Sequence, residues 1–339
     1  MKILVLAGIA AAAIILAVVA SASMGSESSQ DRIRVAFFAN IAHAVPIVGI
    51  ENGEFARELD NIPIEAKIVD SGPQAIEALF AGSADIAYVG PAPFVNGYIK
   101  SGGADLRILA GAGANGASFV IQKNSEIASA ADLAGKKIAA PFVGNTQDVS
   151  LRYYLSENNL KPAEKGGNVI IYNIANSEIF TLFAKGDIDA AWVPEPTATI
   201  LVEQLGGKRL FKEEEIWPTK EFSSVLLIGR TDFVEKHPEW IKKWLAAHKN
   251  TITWINENPE ETEAVFIDFY SKHTGKKLDK NIVHGAFSNI IITQDPVPES
   301  IRIFAERAYS LGYLGRSGYN LDDMFYSDGS TQEITHWQS

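Results

Sequence analysis

The sequence predicts an α/β protein of two similar lobes, each a mainly parallel sheet flanked by helices, with a ligand cleft between the lobes. Three observations carry this expectation. Segments of strand character alternate with helical segments of about a dozen residues, the mark of βαβ units and a parallel sheet. The same strand–helix–strand pattern returns at an interval of 103 residues. In both copies the segments that follow the strands carry Gly, Pro and Asn, at the carboxyl ends where such sheets bind ligands.

The elements follow in order. Met1 and Lys2 precede a small and apolar run over residues 3–20, then Ala20-x-Ala22 and a polar stretch. A positive start, an apolar run and a small-residue cleavage site make residues 1–22 a signal peptide. An uncleaved anchor is the alternative, since the run is long enough to span a bilayer. Either reading exports the rest of the chain, which begins with a polar linker over 23–31. Residues 32–38 (RIRVAFF) are a strand, 46–59 a helix, 62–69 a strand and 73–81 a helix stopped at Gly82. Residues 85–89 are a strand that runs into Gly90-Pro91-Ala92-Pro93.

The second copy is legible by alignment with the first. QAIEALFAGSADIAYVGPAP (74–93) lies over SEIFTLFAKGDIDAAWVPEP (177–196), with Ile76 on Ile179, Leu79 on Leu182, Phe80 on Phe183 and Pro91 on Pro194. The same register puts Val35 on Ile138 and lays the strand 64–69 over 167–172. An ungapped match over consecutive elements indicates a structural repeat. The lobes are therefore expected to comprise residues 32–117 with 225–339, and residues 118–224 inserted between them. After about residue 228 the chain turns helical, over 232–237, 238–256, 259–273 and 298–311, with prolines near several of the starts. Trp240, Trp244 and Trp254 read as a core-facing stripe rather than an aromatic binding box. Residues 319–339 read as a polar, loosely held tail.

Two facing lobes suggest a hinged clamp, and the loops after the strands supply its candidate ligand contacts. In the first lobe these are Asn40 and His43, within NIAHAV (40–45), and Gly90, Pro91 and Ala92. In the second they are Asn145, Thr146, Gln147 and Asp148, with Trp192 and Glu195 at the end of a later strand. Residues 145–148 open a helix, where free N–H groups and the positive end of the dipole form a ready site for an oxyanion. The plainer reading is that Asn145 or Thr146 caps that helix and Asp148 favours its first turn. Likewise Trp192 suits a core and Glu195 a solvated loop.

Composition removes several classes. Hydrophobic residues at 47% and charged ones at 21% fit a globular protein. A net charge of −11, with no Lys/Arg cluster longer than a pair, argues against a nucleic-acid partner. The absence of cysteine excludes a disulfide framework, a cysteine zinc site and a lipid on an N-terminal cysteine. The six histidines show no metal-ligand spacing, and no G-x-S-x-G elbow presents a nucleophile. Gly111-Ala112-Gly113-Ala114-Asn115-Gly116 matches G-x-G-x-x-G, but the strand-like ASFVIQ (117–122) follows where a dinucleotide site needs a helix. Those glycines are expected to let the chain cross between lobes. No cofactor, metal or catalytic group is expected.

GNTQDVSLRYYL (144–155), Trp192-Val193-Pro194-Glu195-Pro196, YVGPAPFVNGYIKSGG (88–103) and the Asp132-Leu133-x-Gly135-Lys136-Lys137 run together resemble the substrate-binding proteins of nitrate/taurine/sulfonate-type ABC importers. The resemblance covers the exported chain to about residue 260. It implies a type II periplasmic-binding fold, monomeric, with capture of a small organic anion between lobes. It also implies delivery to a membrane permease and its ATPase subunit. An aliphatic sulfonate or taurine is the favoured ligand, with nitrate, bicarbonate or a thiamine-precursor pyrimidine as alternatives. An exported α/β enzyme is the reading from a different class. Relatives that make the thiamine pyrimidine depend on a cysteine-rich motif, which this chain lacks.

Overall fold

A computed structural model of the chain describes residues 32–315 and 318–327. The expected signal peptide and linker lie outside the described residues. No helix among those described is long and apolar enough to cross a membrane.

The first strand, β1 (Ile33–Phe37), leads through a 3-10 turn (Ile41–His43) into α1 (Ala44–Glu51) and α2 (Glu54–Glu58). The single helix expected over 46–59 is thus two, separated at Gly53, whose φ of +72° takes the backbone out of the helical region. Next come β2 (Ile64–Ile68), α3 (Gly72–Phe80), β3 (Ile86–Val89), α4 (Pro91–Lys100) and β4 (Leu106–Asn115). Ser71 caps α3 by accepting from the Gln74 N–H, and Ala75, Ile76 and Leu79 bury one face. The chain then enters a second sheet with β5 (Ala117–Ile121), β6 (Lys137–Ala140), α5 (Thr146–Glu157), β7 (Ile170–Asn173), α6 (Asn176–Lys185), β8 (Ala190–Pro194), α7 (Thr197–Glu203) and β9 (Lys208–Lys212). A 3-10 turn (Glu213–Ile216) precedes the return to the first sheet as β10 (Ser223–Arg230). The remainder is α8 (Thr231–Lys236), α9 (Pro238–Glu257), α10 (Pro259–Thr274), α11 (Lys280–Phe287), β11 (Ile290–Ile291) and α12 (Pro298–Ser310).

The six-stranded sheet has the order β11-β4-β10-β3-β1-β2 and the five-stranded one β7-β6-β8-β5-β9. Each contains a parallel triplet, β2-β1-β3 in one and β7-β6-β8 in the other. The triplets have the same order, as a structural repeat requires. Strands on the paths between sheets run antiparallel to their neighbours, β5 against β8 and β10 against β3 and β4. The constant interval does not survive. Val35 pairs with Ile86 as Ile138 pairs with Ala190, so an interval of 103 at β1 and β6 has become 104 at β3 and β8. Phe183 is 1% exposed and Phe80 44%, so the buried counterpart of Phe183 is Leu79. Identity of residue type in a helix–turn–strand unit misled by one position; burial gives the register.

The glycine motif lies in β4 and the crossing after it, with no helix behind it. Asn115 (φ +63°) and Gly116 (φ +80°) turn the chain from one sheet to the other. A Cβ at Gly111 would lie 2.2 Å from the Asp295 carbonyl oxygen, so that glycine admits a close backbone approach. The outgoing and returning segments are tied together, the Asn115 N–H donating to Phe222 O and the Phe222 N–H to Asn115 Oδ1.

The C-terminal helices buttress the first sheet, as their pattern implies. Ile241, Trp244, His248, Thr251, Ile252 and Ile255 form the buried stripe of α9. Two assignments need correction. The helix α11 has no counterpart in the sequence reading. Part of the tail is docked, because Met324 and Phe325 are 0% and 5% exposed and the Ile108 N–H donates to Met324 O at 2.7 Å. Burying that apolar pair outweighs the polarity of the stretch around it.

Candidate functional site

Parallel strands carry the chain to one edge of each sheet, where a helix begins, so helix N-termini gather between the two sheets. A cavity of about 270 Å³ lies there. Four helix starts contribute to its wall: α3 at Gly72, α4 at Gly90, α5 at Asn145, Thr146 and Gln147, and α6 at Ala175, Asn176 and Ser177. Asn40 and His43, which bracket the turn before α1, add a fifth segment.

These starts differ in what they offer. In α3 the Gly72 N–H donates to Asn145 Oδ1 at 3.0 Å and the Gln74 N–H to Ser71 Oγ at 3.4 Å. Prolines 91 and 93 remove two donors from the first turn of α4. The amides of Thr146 and Gln147 in α5, and of Asn176 and Ser177 in α6, meet no acceptor among the described residues. The unpaired backbone donors of these helix starts are therefore concentrated in α5 and α6, while positive dipole ends come from both sides.

Side chains point to the same place. Asn40 Oδ1, Thr146 Oγ1, Asn176 Oδ1 and Ser224 Oγ are buried without a hydrogen-bond partner among the described residues. All four residues line this one cavity. An unmet buried polar atom costs about 1–3 kcal/mol, so such a concentration marks a surface made to meet a polar solute. Among the described lining residues there is no lysine or arginine. An anion here would rest on amides, hydroxyls and helix dipoles alone. Exposed Asp70, His273 and Thr274 form the outer part, the latter two in the last turn of α10, where a helix dipole is negative. Phe38, Ile68, Phe142 and Val225 add apolar wall.

His43 is buried against the Phe38 ring, with centroids 4.3 Å apart. The Phe38 N–H donates to its Nδ1 at 3.4 Å, which puts the proton on Nε2 and makes that nitrogen a donor. Burial pushes its pKa down to about 3 and that of buried His248 to about 4. In the unfolded chain both return to about 6.5. Below that value the unfolded state binds more protons, so these two groups make stability fall as the pH drops from about 6.5 toward 3–4. The carboxyls of Glu195 and Glu213, which burial pushes upward, act with the opposite sign. The comparison to measure is therefore between the parent and His43→Gln by thermal melting at pH 5 and 7.5. The variant should lose less stability on acidification; equal losses would mean that His43 is not held neutral. No hydroxyl lining the cavity is hydrogen-bonded to His43 or His273 among the described residues.

Of the expected contacts, Asn40, His43, Gly90, Asn145, Thr146 and Gln147 line the cavity. Five do not. Pro91 and Ala92 are buried inside the first turn of α4, since the chain there is helix and not loop. Asp148 has a fully buried side chain, taken up by Arg152, Asn173, Tyr313 and the Gly144 N–H. Trp192 is in the core, packed on Phe119, Tyr154 and Phe211, and its Nε1 donates to Glu213 at 2.6 Å. Glu195 is no solvated carboxylate. It pairs with Arg209 at 2.8 Å, accepts from Asn289, and caps α7 by accepting the Thr199 N–H at 3.0 Å. Asn145 lines the cavity but spends its carbonyl oxygen on Gly72, from one lobe to the other.

Sequence reasoning missed Asn176, Ser177, Ser224 and the α10 residues. The first two were within reach, since the repeat places the start of α6 where α3 starts in the other copy. Ser224 and Tyr270 arrive from the returning strand and a distant helix, and carry no local signal.

The profile of the NMT1-like family matches residues 26–267. The taurine-binding periplasmic protein of Escherichia coli (strain K12) is 31% identical over 188 residues, a match that spans 56% of this chain and 56% of that one. A protein of Bacillus subtilis (strain 168) named for binding aliphatic sulfonates is 26% identical over 261 residues, 75% of this chain and 72% of its own. Among solved structures, the alkanesulfonate-binding protein SsuA from Xanthomonas axonopodis pv. citri, bound to MOPS, superposes with a TM-score of 0.69. That superposition covers 85% of this chain and 96% of SsuA at 17% identity, which is likeness of fold.

Proposed function

The chain belongs to the NMT1-like family, and from that premise we propose that it is the extracytoplasmic solute-binding component of an ABC importer. It captures a small organic anion between its lobes, residues 32–117 with 225–339 and residues 118–224, and hands it to a permease served by an ATPase. It is a binding protein and not an enzyme, in keeping with relatives named for what they bind. The apolar run over residues 3–20 and a relative named as periplasmic support export to the outer face of the cell membrane.

The observation that carries the reading is the convergence of four helix N-termini on one small cavity whose described lining residues include no lysine or arginine. Its volume of about 270 Å³ is below the roughly 300–1,000 Å³ of drug-sized sites, which supports a small solute. The apolar wall supports an organic tail over bare nitrate or bicarbonate. Asp70 and the end of α10 favour a tail that carries hydrogen-bond donors, so taurine is placed ahead of a plain alkanesulfonate.

A thermal-shift and calorimetric screen of taurine, ethanesulfonate, nitrate, bicarbonate and a thiamine-precursor pyrimidine tests this. Taurine should bind tightest, followed by ethanesulfonate. Ligand at a hundred times its dissociation constant should stabilise the fold by about 2.7 kcal/mol. Asp70→Asn should narrow the gap between the two sulfonates. Binding of nitrate or the pyrimidine without either sulfonate would overturn the reading.

A further inference from the structure

Asp148 is the third residue of α5, and its carboxylate, which does not line the cavity between the sheets, gathers four donors. Oδ1 accepts from Arg152 Nε at 2.7 Å and from Asn173 Nδ2 at 2.8 Å, and Oδ2 accepts from the Gly144 N–H at 2.9 Å and from the Tyr313 hydroxyl at 2.6 Å. Three of these belong to the second lobe and hold its cleft-facing loops. Gly144 follows the lining residues Pro141 and Phe142, and Asn173, which also donates to Pro141 O at 3.0 Å, closes β7 just before the lining residues of α6. The fourth crosses between lobes. Tyr313 follows α12 and packs against the core of the first lobe, with its own N–H donating to Ala308 O. Burial and the charge of Asp148 raise its pKa, so the phenol stays protonated as a donor.

We propose that Asp148 and Tyr313 form a latch between the lobes, with Asp148 as a positioning residue that sets the ligand-facing start of α5 and ties it to the first lobe. The latch lies outside the cavity and acts on how long the lobes stay together. Arg307 of α12 supports the same contact from further along, its guanidinium 4.7 Å from the Tyr153 ring of α5 and 3.8 Å from the Trp217 ring. In its effect on release the latch rests on the binding-protein reading; in its effect on the lobes it does not.

Tyr313→Phe removes only the hydroxyl that crosses. With taurine as the probe, stopped-flow should show release about ten-fold faster with association little changed, as loss of one hydrogen bond to a charged group implies. A purely structural role would lower the melting temperature and leave that split unmoved. Asp148→Asn should speed release less in the Tyr313→Phe background than in the parent, since both remove the same contact. The second arm needs no ligand. The chain has no cysteine, so Glu77→Cys and Lys185→Cys, at exposed positions of α3 and α6, accept a pair of spin labels cleanly. Tyr313→Phe should shift the ligand-free distance distribution to longer values. An unchanged distribution overturns the latch even if taurine fails to bind, and an unchanged release rate overturns it where taurine binds.

Discussion

Gly90→Ala should bind ligand about ten- to a hundred-fold more weakly than the parent while melting at nearly the same temperature. The backbone at Gly90 has φ −67° and ψ 157°, a conformation open to any residue, so alanine brings no strain of its own. What it meets is the other lobe, because a Cβ there would lie 2.4 Å from Thr146 Oγ1. Overpacking of this kind costs about 1–3 kcal/mol, and here it is met only when the lobes come together. Gly72→Ala makes the contrast. Its Cβ would lie 2.2 Å from Pro93 Cγ of the same lobe, so that variant should lose stability as well. Calorimetry with taurine and thermal melting of both variants separate the two effects. Parent-like affinity in Gly90→Ala would mean that these two residues are not in contact in the ligand-bound form.

Thr146→Pro should weaken binding by a similar factor, and Thr146→Ser should bind almost as the parent does. Thr146 is the first residue of α5, where proline is tolerated because no helical bond uses that N–H. Asn145 before it is extended, at φ −71° and ψ 160°, as a residue preceding proline must be. The proline variant should therefore fold. It loses one unpaired amide and the buried hydroxyl, and a hydrogen bond to a charged group is worth about 1.5–3 kcal/mol. Serine keeps both donors. Equal affinities for the two variants would move the anion away from α5, with α6 and its Asn176 and Ser177 amides the next place to test.

The fold was legible because its signals are local and periodic. The parallel triplets, the inserted second sheet, the crossing glycines and the core-facing stripe of α9, in which Trp244 is buried and Trp240 and Trp254 half-buried, follow from strand–helix alternation and from apolar spacing. Part of the candidate site was legible for the same reason: the loop after each strand is where the topology must place a cleft, and Asn40, His43, Gly90 and residues 145–147 are there. The errors at Asp148, Trp192 and Glu195 share one cause. Glu195 and Trp192 end a strand in the right region, but they satisfy Arg209, Thr199 and Glu213, partners that no local pattern announces.

By itself the sequence determined the strand–helix alternation of each half, the existence of two related halves and the segments that face each other across them. Which side chain of each segment meets the cavity was decided only by tertiary structure. Thr146 and Asp148 stand two residues apart in one helical turn, both polar and both buried. Successive residues of a helix point in different directions, and what lies in each direction is set by packing. Asp148 meets Arg152, Asn173 and Tyr313, while Thr146 keeps a hydroxyl with no partner of its own. A buried polar group must be met by something, and only the folded chain decides whether that is the protein or its ligand.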